Sequence, residues 1–201
     1  MEKIRLAVFA SGNGSNAEAI MKYFQNHPKI EVAGLLSNNP EAYALERAKK
    51  FQVPTKVLDK NQFRECDEVL KWLNTNKITH IVLAGFLLLI PEKLINAFPD
   101  RIINIHPSLL PKFGGKGMYG MKVHEAVVTA GEKETGITIH LVNAHYDDGK
   151  ILAQIKCSVL PADNAKSIAE RVLQLEHEDY PKVIEQWASP APSPLPWERG
   201  V

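Results

Sequence analysis

The chain has 201 residues, of which 45% are hydrophobic and 23% charged, values typical of one domain that buries a full core, with room for an extension. A net charge of +1 excludes a general attraction to nucleic acid or an anionic membrane, and no apolar run reaches the roughly 20 residues of a membrane span. Two cysteines without CxxC spacing and no signal-peptide pattern lead us to expect a cytoplasmic protein with reduced thiols.

A buried strand at residues 4–10 and a helix over 17–24 are the first predicted elements, and a glycine turn at 12–16 joins them. Ser15 and Glu18 have the spacing of a capping box, which places the turn at a helix N-terminus. Free backbone N–H groups and the helix dipole favour an anion there, and glycines let a phosphate approach the backbone. The turn therefore predicts a monophosphate site, or else a tight connection without a ligand.

The same turn matches the dinucleotide fingerprint in its alanine form, Gly12-x-Gly14-x-x-Ala17. That fingerprint needs an acidic residue at the end of the second strand to hold a ribose. The second predicted strand, at residues 30–36, leads into Ser-Asn-Asn-Pro at 37–40, without Asp or Glu. NAD binding is therefore disfavoured and stays only an alternative.

Strands and helices alternate through the rest of the N-terminal half. The patterns predict strands at 53–58 and 78–84 and helices at 41–51, 61–76 and 91–98. Asn39 and Pro40 have the residue types of N-cap and N1 for the first of these helices. The alternation predicts an α/β fold, a doubly wound, mostly parallel twisted sheet with helices on both faces and a Rossmann-like N-terminal half.

Asn104 and His106 end the next predicted strand, at residues 101–106, which Pro107 terminates. Because they are two residues apart on an extended chain, their side chains point to the same side. Ligands of open α/β sheets bind at the carboxyl ends of strands. An amide can stabilise an oxyanion and an imidazole can move a proton near neutral pH. The pair is thus a candidate catalytic site, although two polar residues satisfied at a strand end are the alternative.

A glycine-rich loop follows at residues 112–120. Four glycines in nine residues predict mobility, and the loop is either a flap over His106 or a plain connector. A helix is predicted at 122–130, where His124 is read as a surface or packing residue.

Two strands at 136–143 and 151–159 then predict a hairpin-like unit, with His140 as a structural residue. The loop between them contains Asp147, which either shapes a turn or meets His106. In the second case the carboxylate would raise the imidazole pKa and fix its tautomer.

A long helix at 164–187 closes the predicted fold, with a break or kink near Pro181. The tail at 188–201 contains four prolines and is expected to be disordered or polyproline-like. We therefore expect a single domain over residues 1–187.

Five motifs together resemble the formyltransferase fold family, and within it the branch that formylates phosphoribosylglycinamide. The resemblance covers residues 4 to about 187. The motifs that carry it are SGNGSN (11–16), VLAGF (82–86), NIHPSLLPKF (104–113), Asp147-Asp148-Gly149 and QLEHEDYP (174–181).

The resemblance implies a purine-synthesis enzyme that uses 10-formyltetrahydrofolate as formyl donor and needs no metal. It implies that Asn104 and His106 stabilise the oxyanion, while Asp147 supports His106 and proton transfer. The residues implied to bind phosphoribosylglycinamide are Gly14, Ser15, Asn16 and Glu176. Those implied on the folate side are Arg64, Leu87, Leu88, Leu89, Ile90 and Asn104. We expect small-molecule partners only, neither nucleic acid nor membrane, and a monomer or homodimer.

The chain departs from this pattern in two places. Many members carry an arginine after the AGF motif, where this chain has Leu87-Leu88-Leu89, so folate contacts there must be apolar or through the backbone. The glycine-rich loop is longer than the family's PGxH segment, and the histidine usual there is absent unless His124 replaces it.

Four other functions stay open at this stage. The same chemistry would serve a sugar-nucleotide or other amine formyltransferase. A formyltetrahydrofolate hydrolase is less expected, because its usual N-terminal regulatory domain has no counterpart before Ile4. An NAD-dependent oxidoreductase lacks the acidic ribose partner, and a non-catalytic nucleotide-binding module would leave Asn104 and His106 unexplained.

Overall fold

The computed structural model describes residues 3–189. Its strands are β1 Ile4–Phe9, β2 Ile30–Ser37, β3 Thr55–Val57, β4 His80–Leu83, β5 Ile102–His106, β6 Glu134–Leu141 and β7 Ile151–Ser158. Its helices are α1 Ser15–Phe24, α2 Tyr43–Lys50, α3 Lys60–Glu65, α4 Asp67–Thr75, α5 Glu92–Ala97, α6 Met121–Thr129 and α7 Ala165–Ala188. None of the helices between residues 3 and 189 is long and apolar enough to cross a membrane.

The seven strands form one sheet in the order β3-β2-β1-β4-β5-β6-β7. The first five strands in this order pair in parallel, whereas β6 pairs antiparallel with both β5 and β7. The doubly wound, mostly parallel sheet and the hairpin at its end are thereby confirmed. The chain reverses its direction of progress between β1 and β4, and in such sheets a crevice opens at the carboxyl ends of the strands on either side of that reversal.

Side chains of β1 alternate between two cores, one on each face of the sheet. Leu6 and Val8 pack into the cluster beneath α1, α2 and α7, whereas Ala7 and Phe9 pack into the cluster beneath α3, α4 and α5. All four are fully buried. Because both faces of the strand are covered, its sequence is a continuous apolar run, as expected of a central parallel strand.

The helix predicted over residues 61–76 is two helices. Cys66 has a left-handed backbone (φ 69°) and separates α3 from α4. Asp59 caps α3 by accepting hydrogen bonds from the N–H groups of Asn61 and Gln62, and a separate acidic first turn opens α4. The apolar periodicity continues across the junction, which explains why the sequence pattern alone indicated a single helix.

Two predicted helix caps are wrong. Gly14, not Ser15, precedes α1, no side chain caps that helix, and Glu18 pairs with Arg47 instead. Asn39 does not cap α2, which begins at Tyr43. It accepts a hydrogen bond from the Glu41 N–H (3.0 Å) within the preceding turn.

The sequence predicts a break or a kink at Pro181. The break is wrong, because α7 continues through Pro181 to Ala188, whereas the kink stays a prediction. Tyr180, fully buried beside it, donates its hydroxyl to the Leu83 carbonyl (2.9 Å). Tertiary packing therefore holds the helix where local propensity disfavours it. Residues 190–201, most of the predicted disordered tail, lie outside the described residues, and the single-domain boundary at 187 stays a prediction.

Candidate active site

A cavity of about 730 Å³ opens at the carboxyl ends of β4 and β5. Its wall is mostly apolar and comes from the loops after β4, β5 and β6, the glycine-rich loop and one side of α7. This volume is within the usual range of small-molecule sites. Asn104 and His106 line it from the end of β5, so the expectation that they share one side of the strand holds.

Asp147 joins Asn104 and His106 in this cavity. Its Oδ2 atom lies 3.4 Å from His106 Nδ1, and its Oδ1 atom accepts a hydrogen bond from Asn104 Nδ2 (3.3 Å). The side chains of His106 and Asp147 are 4% and 11% exposed. The loop that carries Asp147 passes close to the end of β6 at Gly149. A Cβ atom at this position would lie 1.7 Å from the Leu141 carbonyl oxygen, so only glycine fits there.

His140 is a site residue that the sequence did not identify. It pairs with Asn104 across β5 and β6, and its Nε2 atom lies 3.2 Å from Asn104 Nδ2 and 3.6 Å from Asp147 Oδ1. Its other nitrogen, Nδ1, donates to the Leu141 carbonyl (2.8 Å), so in the neutral ring Nε2 accepts from Asn104. Only the strand register shows this neighbour, and register is not readable from residue alternation within one strand.

The glycine-rich loop contacts both His106 and Asp147. His106 Nε2 donates to the Phe113 carbonyl (2.7 Å), and the Gly115 N–H donates to Asp147 Oδ2 (2.9 Å). Since a carbonyl only accepts, the proton of the neutral His106 ring is on Nε2 and the lone pair is on Nδ1. The loop is therefore part of the site and not a plain connector.

Burial dominates the electrostatics of His106. It lowers the pKa of the imidazole, although the neighbouring Asp147 carboxylate and the Phe113 carbonyl raise it. The expected effect of Asp147, which is to raise the pKa of His106, is present, but desolvation outweighs it. Burial raises the pKa of Asp147, but the His140 and His106 rings and the Gly115 N–H stabilise its anion, and the net pKa lies below the ordinary value.

Asn16 and Glu176 line another part of the cavity. Asn16 Nδ2 donates to Glu176 Oε2 (2.6 Å), while Asn16 Oδ1 is buried without a hydrogen-bond partner among residues 3–189. Burial raises the pKa of the Glu176 carboxyl against the opposing effect of Asn16. Gly14 and Ser15 belong to the adjoining turn and are not part of the cavity wall.

The sequence matches the family described as Formyl transferase over residues 4–184. The chain belongs to the formyl transferase family.

Two curated relatives and one solved structure illustrate the similarity. This chain is 41% identical over 186 residues to the chloroplastic phosphoribosylglycinamide formyltransferase of Arabidopsis thaliana, covering 90% of this chain and 64% of the relative. It is 36% identical over 187 residues to phosphoribosylglycinamide formyltransferase of Bacillus subtilis, covering 90% and 93%. The crystal structure of phosphoribosylglycinamide formyltransferase from Brucella melitensis superposes with a TM-score of 0.85 at 36% identity. The match covers 95% of this chain and 98% of that one. This chain thus spans less than two thirds of the Arabidopsis relative.

Of the residues that the family resemblance assigned to folate, Leu87 to Ile90 line the cavity and Arg64 does not. Phe63, the neighbour of Arg64 on α3, is fully buried between Phe9 and Phe86, which leaves Arg64 on the exposed side of the helix. Arg64 therefore lies outside the cavity wall.

Two further side chains line the cavity from the segment that follows β5. Lys116, in the glycine-rich loop, is the one lysine or arginine of the described chain in the wall. His124, expected at the surface or in packing, is 5% exposed, and its Nδ1 atom has no hydrogen-bond partner among residues 3–189. Burial and the nearby His106 lower the pKa of His124.

Proposed function

We propose that this protein transfers the formyl group of 10-formyltetrahydrofolate to the glycyl amine of 5'-phosphoribosylglycinamide. The observation that carries the proposal is the convergence of Asn104, His106 and Asp147 in one cavity that Asn16 and Glu176 also line. Relatives from Arabidopsis and Bacillus subtilis bear the name of this activity. An NAD-dependent oxidoreductase is not favoured, because the family match is to formyl transferases and β2 ends without an acidic residue.

In this proposal the turn at residues 12–16 holds the phosphate of the acceptor. The N-terminus of α1 offers backbone N–H groups and the positive end of a helix dipole to the anion. Glu176 and the free Oδ1 atom of Asn16 supply oxygen acceptors for ribose hydroxyls.

The donor occupies the side formed by Leu87 to Ile90. These apolar residues pack against the flat pteridine, and backbone groups of the same segment face its polar edge. The glutamyl tail of the donor is anionic. Lys116 is the lysine in the part of the cavity wall that the structure describes, and we assign it to the carboxylates of that tail.

The reaction begins when the neutral glycyl amine attacks the formyl carbon bound to N10. A carbon–nitrogen bond forms and the carbonyl electron pair moves to oxygen. Asn104 Nδ2 donates a hydrogen bond to this oxyanion in place of its long contact (3.3 Å) with Asp147 Oδ1. Such a donor, fixed before the reaction, is typically worth about 10²–10³ in turnover.

His106 and Asp147 then accept the proton of the attacking nitrogen and pass it on. The attacking nitrogen becomes positively charged, and the Nδ1 lone pair of His106 and the facing carboxylate accept its proton. The imidazolium so formed stabilises the adjacent oxyanion through its charge. When the carbonyl re-forms, the bond to N10 breaks and N10 receives the proton, giving tetrahydrofolate and the formylated acceptor.

One spectroscopic assay tests the proposal. The purified protein is mixed with 10-formyltetrahydrofolate and phosphoribosylglycinamide, or with an amino sugar nucleotide in a parallel reaction, or with no acceptor. We expect tetrahydrofolate to form only with phosphoribosylglycinamide. Turnover that prefers the sugar nucleotide would assign the other acceptor class, and release of formate without an acceptor would indicate a hydrolase.

Both partners of the proposed reaction are small molecules. A monomer or homodimer and a cytoplasmic location stay predictions. Sedimentation of the purified protein and localisation of a tagged chain are the measurements that test them.

A further inference from the structure

Helix α2 donates three hydrogen bonds to the glycine turn at residues 12–16. The Ala44 N–H donates to the Gly12 carbonyl (3.1 Å). Arg47 donates Nε–H to the Asn13 carbonyl (2.9 Å) and Nη2–H to Asn13 Oδ1 (2.9 Å), so its planar fork binds one residue twice. The third guanidinium nitrogen, Nη1, pairs with Glu18 on α1. Arg47 therefore ties α2, the turn and α1 together.

These bonds decide where the N–H groups of the turn point. In a planar trans peptide the C=O and N–H groups point in opposite directions. With the carbonyls of Gly12 and Asn13 bonded to α2, the N–H groups of Asn13 and Gly14 point away from it. Neither donates to any group in residues 3–189. Successive free N–H groups beside a helix N-terminus form a concave site for an anion.

Gly14 shows how closely the two elements fit. It has a left-handed backbone (φ 74°), and an added Cβ would lie 2.4 Å from the Ala44 Cβ. The turn thus rests directly on α2, and its orientation depends on the contacts that α2 makes.

We propose that Arg47 is a positioning residue that holds the turn with its N–H groups presented to the phosphate of the acceptor. This rests on the proposed function for the identity of the acceptor. Arg47 acts through geometry and not as a direct phosphate ligand, because two of its nitrogens are used by Asn13, the third is paired with Glu18, and its side chain is only 17% exposed. The Tyr43 ring packs against its guanidinium (4.9 Å).

The test compares Arg47→Met, Arg47→Lys and a matched control, Lys49→Met. Lys49 is on the same helix, and within residues 3–189 its ammonium pairs only with Glu46 of α2. For each protein we would measure kcat, KM for phosphoribosylglycinamide, KM for the formyl donor, and Kd for ribose 5-phosphate by calorimetry. Circular dichroism and Tm report folding.

For Arg47→Met we expect KM for phosphoribosylglycinamide and Kd for ribose 5-phosphate to rise about tenfold, as loss of two charge-assisted hydrogen bonds implies. We expect kcat and the donor KM to stay within about twofold, because the reacting groups are on other elements. Arg47→Lys should recover only part of the loss, since an ammonium cannot bind one residue with two parallel bonds. Lys49→Met should match the wild type.

The proposal is overturned if Arg47→Met binds ribose 5-phosphate as tightly as the wild type, or if Arg47→Lys restores binding fully, which would assign a role to charge alone. If Arg47→Met does not fold, Asn13→Ala removes the bond to Oδ1, and unchanged ribose 5-phosphate binding in that variant would also overturn it. A wild type that binds ribose 5-phosphate but transfers no formyl group would refute the proposed function while leaving this test intact.

Discussion

Asp147 Oδ2 lies 3.4 Å from His106 Nδ1, inside a cavity where both side chains are almost wholly buried. The ring keeps its proton on Nε2, where the Phe113 carbonyl accepts it, so a lone pair faces the carboxylate. The Nδ1 lone pair and the carboxylate are both hydrogen-bond acceptors, so one proton can be shared between them. The pair is therefore suited to receive a proton during the reaction and to release it afterwards.

Asp147→Asn tests this coupling. Removing the charge takes away an effect that raises the pKa of His106, so its pKa falls further below the ordinary value. If the neutral ring accepts the proton, the acidic limb of the kcat profile moves to lower pH. We expect kcat to fall on the order of 10²-fold or more, with little change in KM. A pH–rate profile superimposable on that of the wild type would refute the coupling.

Asn104→Ala tests the oxyanion donor. We expect kcat to fall about 10²–10³-fold, since this donor acts mainly in the transition state. The Kd values of both substrates, measured separately, should change little. As a comparison, His140→Gln keeps a hydrogen-bonding group beside Asn104 and should cost less activity. Near wild-type turnover in Asn104→Ala would remove Asn104 from the mechanism.

The sheet and the shared position of Asn104 and His106 were predictable from the sequence because they depend on local patterns. Apolar runs and their spacing indicate the strands, and two residues at one strand end must share a side, as Asn104 and His106 do. The contributions of His140 and of the Phe113 carbonyl were not predictable. His140 reaches Asn104 through the register of two strands, and the Phe113 carbonyl reaches His106 through the path of a loop.

Errors in the prediction have the same physical origin. Pro181 disfavours a helix locally, yet α7 continues because its packing overrides propensity. Asp147 raises the pKa of His106 as expected, but the burial that lowers the net pKa is not readable from the sequence. Both the continuity of α7 and the lowered pKa of His106 depend on tertiary packing, which the local sequence does not show.

Gly114→Ala tests the contact of the glycine-rich loop with the site. An added Cβ would lie 2.4 Å from Leu110 Cδ2 and 3.3 Å from Asp147 Cβ, so the loop or the carboxylate must shift. We expect kcat to fall about tenfold or more, as small displacements of catalytic groups often cause. Gly117→Ala is the matched control, because its methyl group meets nothing within 4 Å and adds only backbone strain (φ 89°). Equal losses in the two variants would show that general disturbance of the loop, not displacement of Asp147, lowers kcat.

Lys116→Met tests the assignment of the donor tail. The variant keeps the aliphatic length of the side chain and removes the charge. We expect KM for 10-formyltetrahydrofolate to rise about two- to fivefold, as for loss of an exposed ion pair, and KM for phosphoribosylglycinamide to stay unchanged. A pteridine donor without the glutamyl tail should bind both proteins equally. If instead the acceptor KM rises, Lys116 serves the phosphate.

His80→Gln tests the stability of the fold against acid. Burial, with a smaller effect from Arg101, lowers the pKa of His80 to about 4. Above roughly pH 6.5 the ring is neutral in the folded and unfolded states, and it does not affect the pH dependence. Between about pH 6.5 and 4 the unfolded chain binds a proton that the folded chain excludes, so the free energy of unfolding falls as pH falls, by at most about 1.4 kcal/mol per pH unit.

Urea unfolding from pH 7.5 to 4.5 should therefore show a shallower decline in the free energy of unfolding for His80→Gln than for the wild type. His145→Gln, whose parent side chain is 78% exposed, should follow the wild type, and parallel curves for all three proteins would contradict the role of His80.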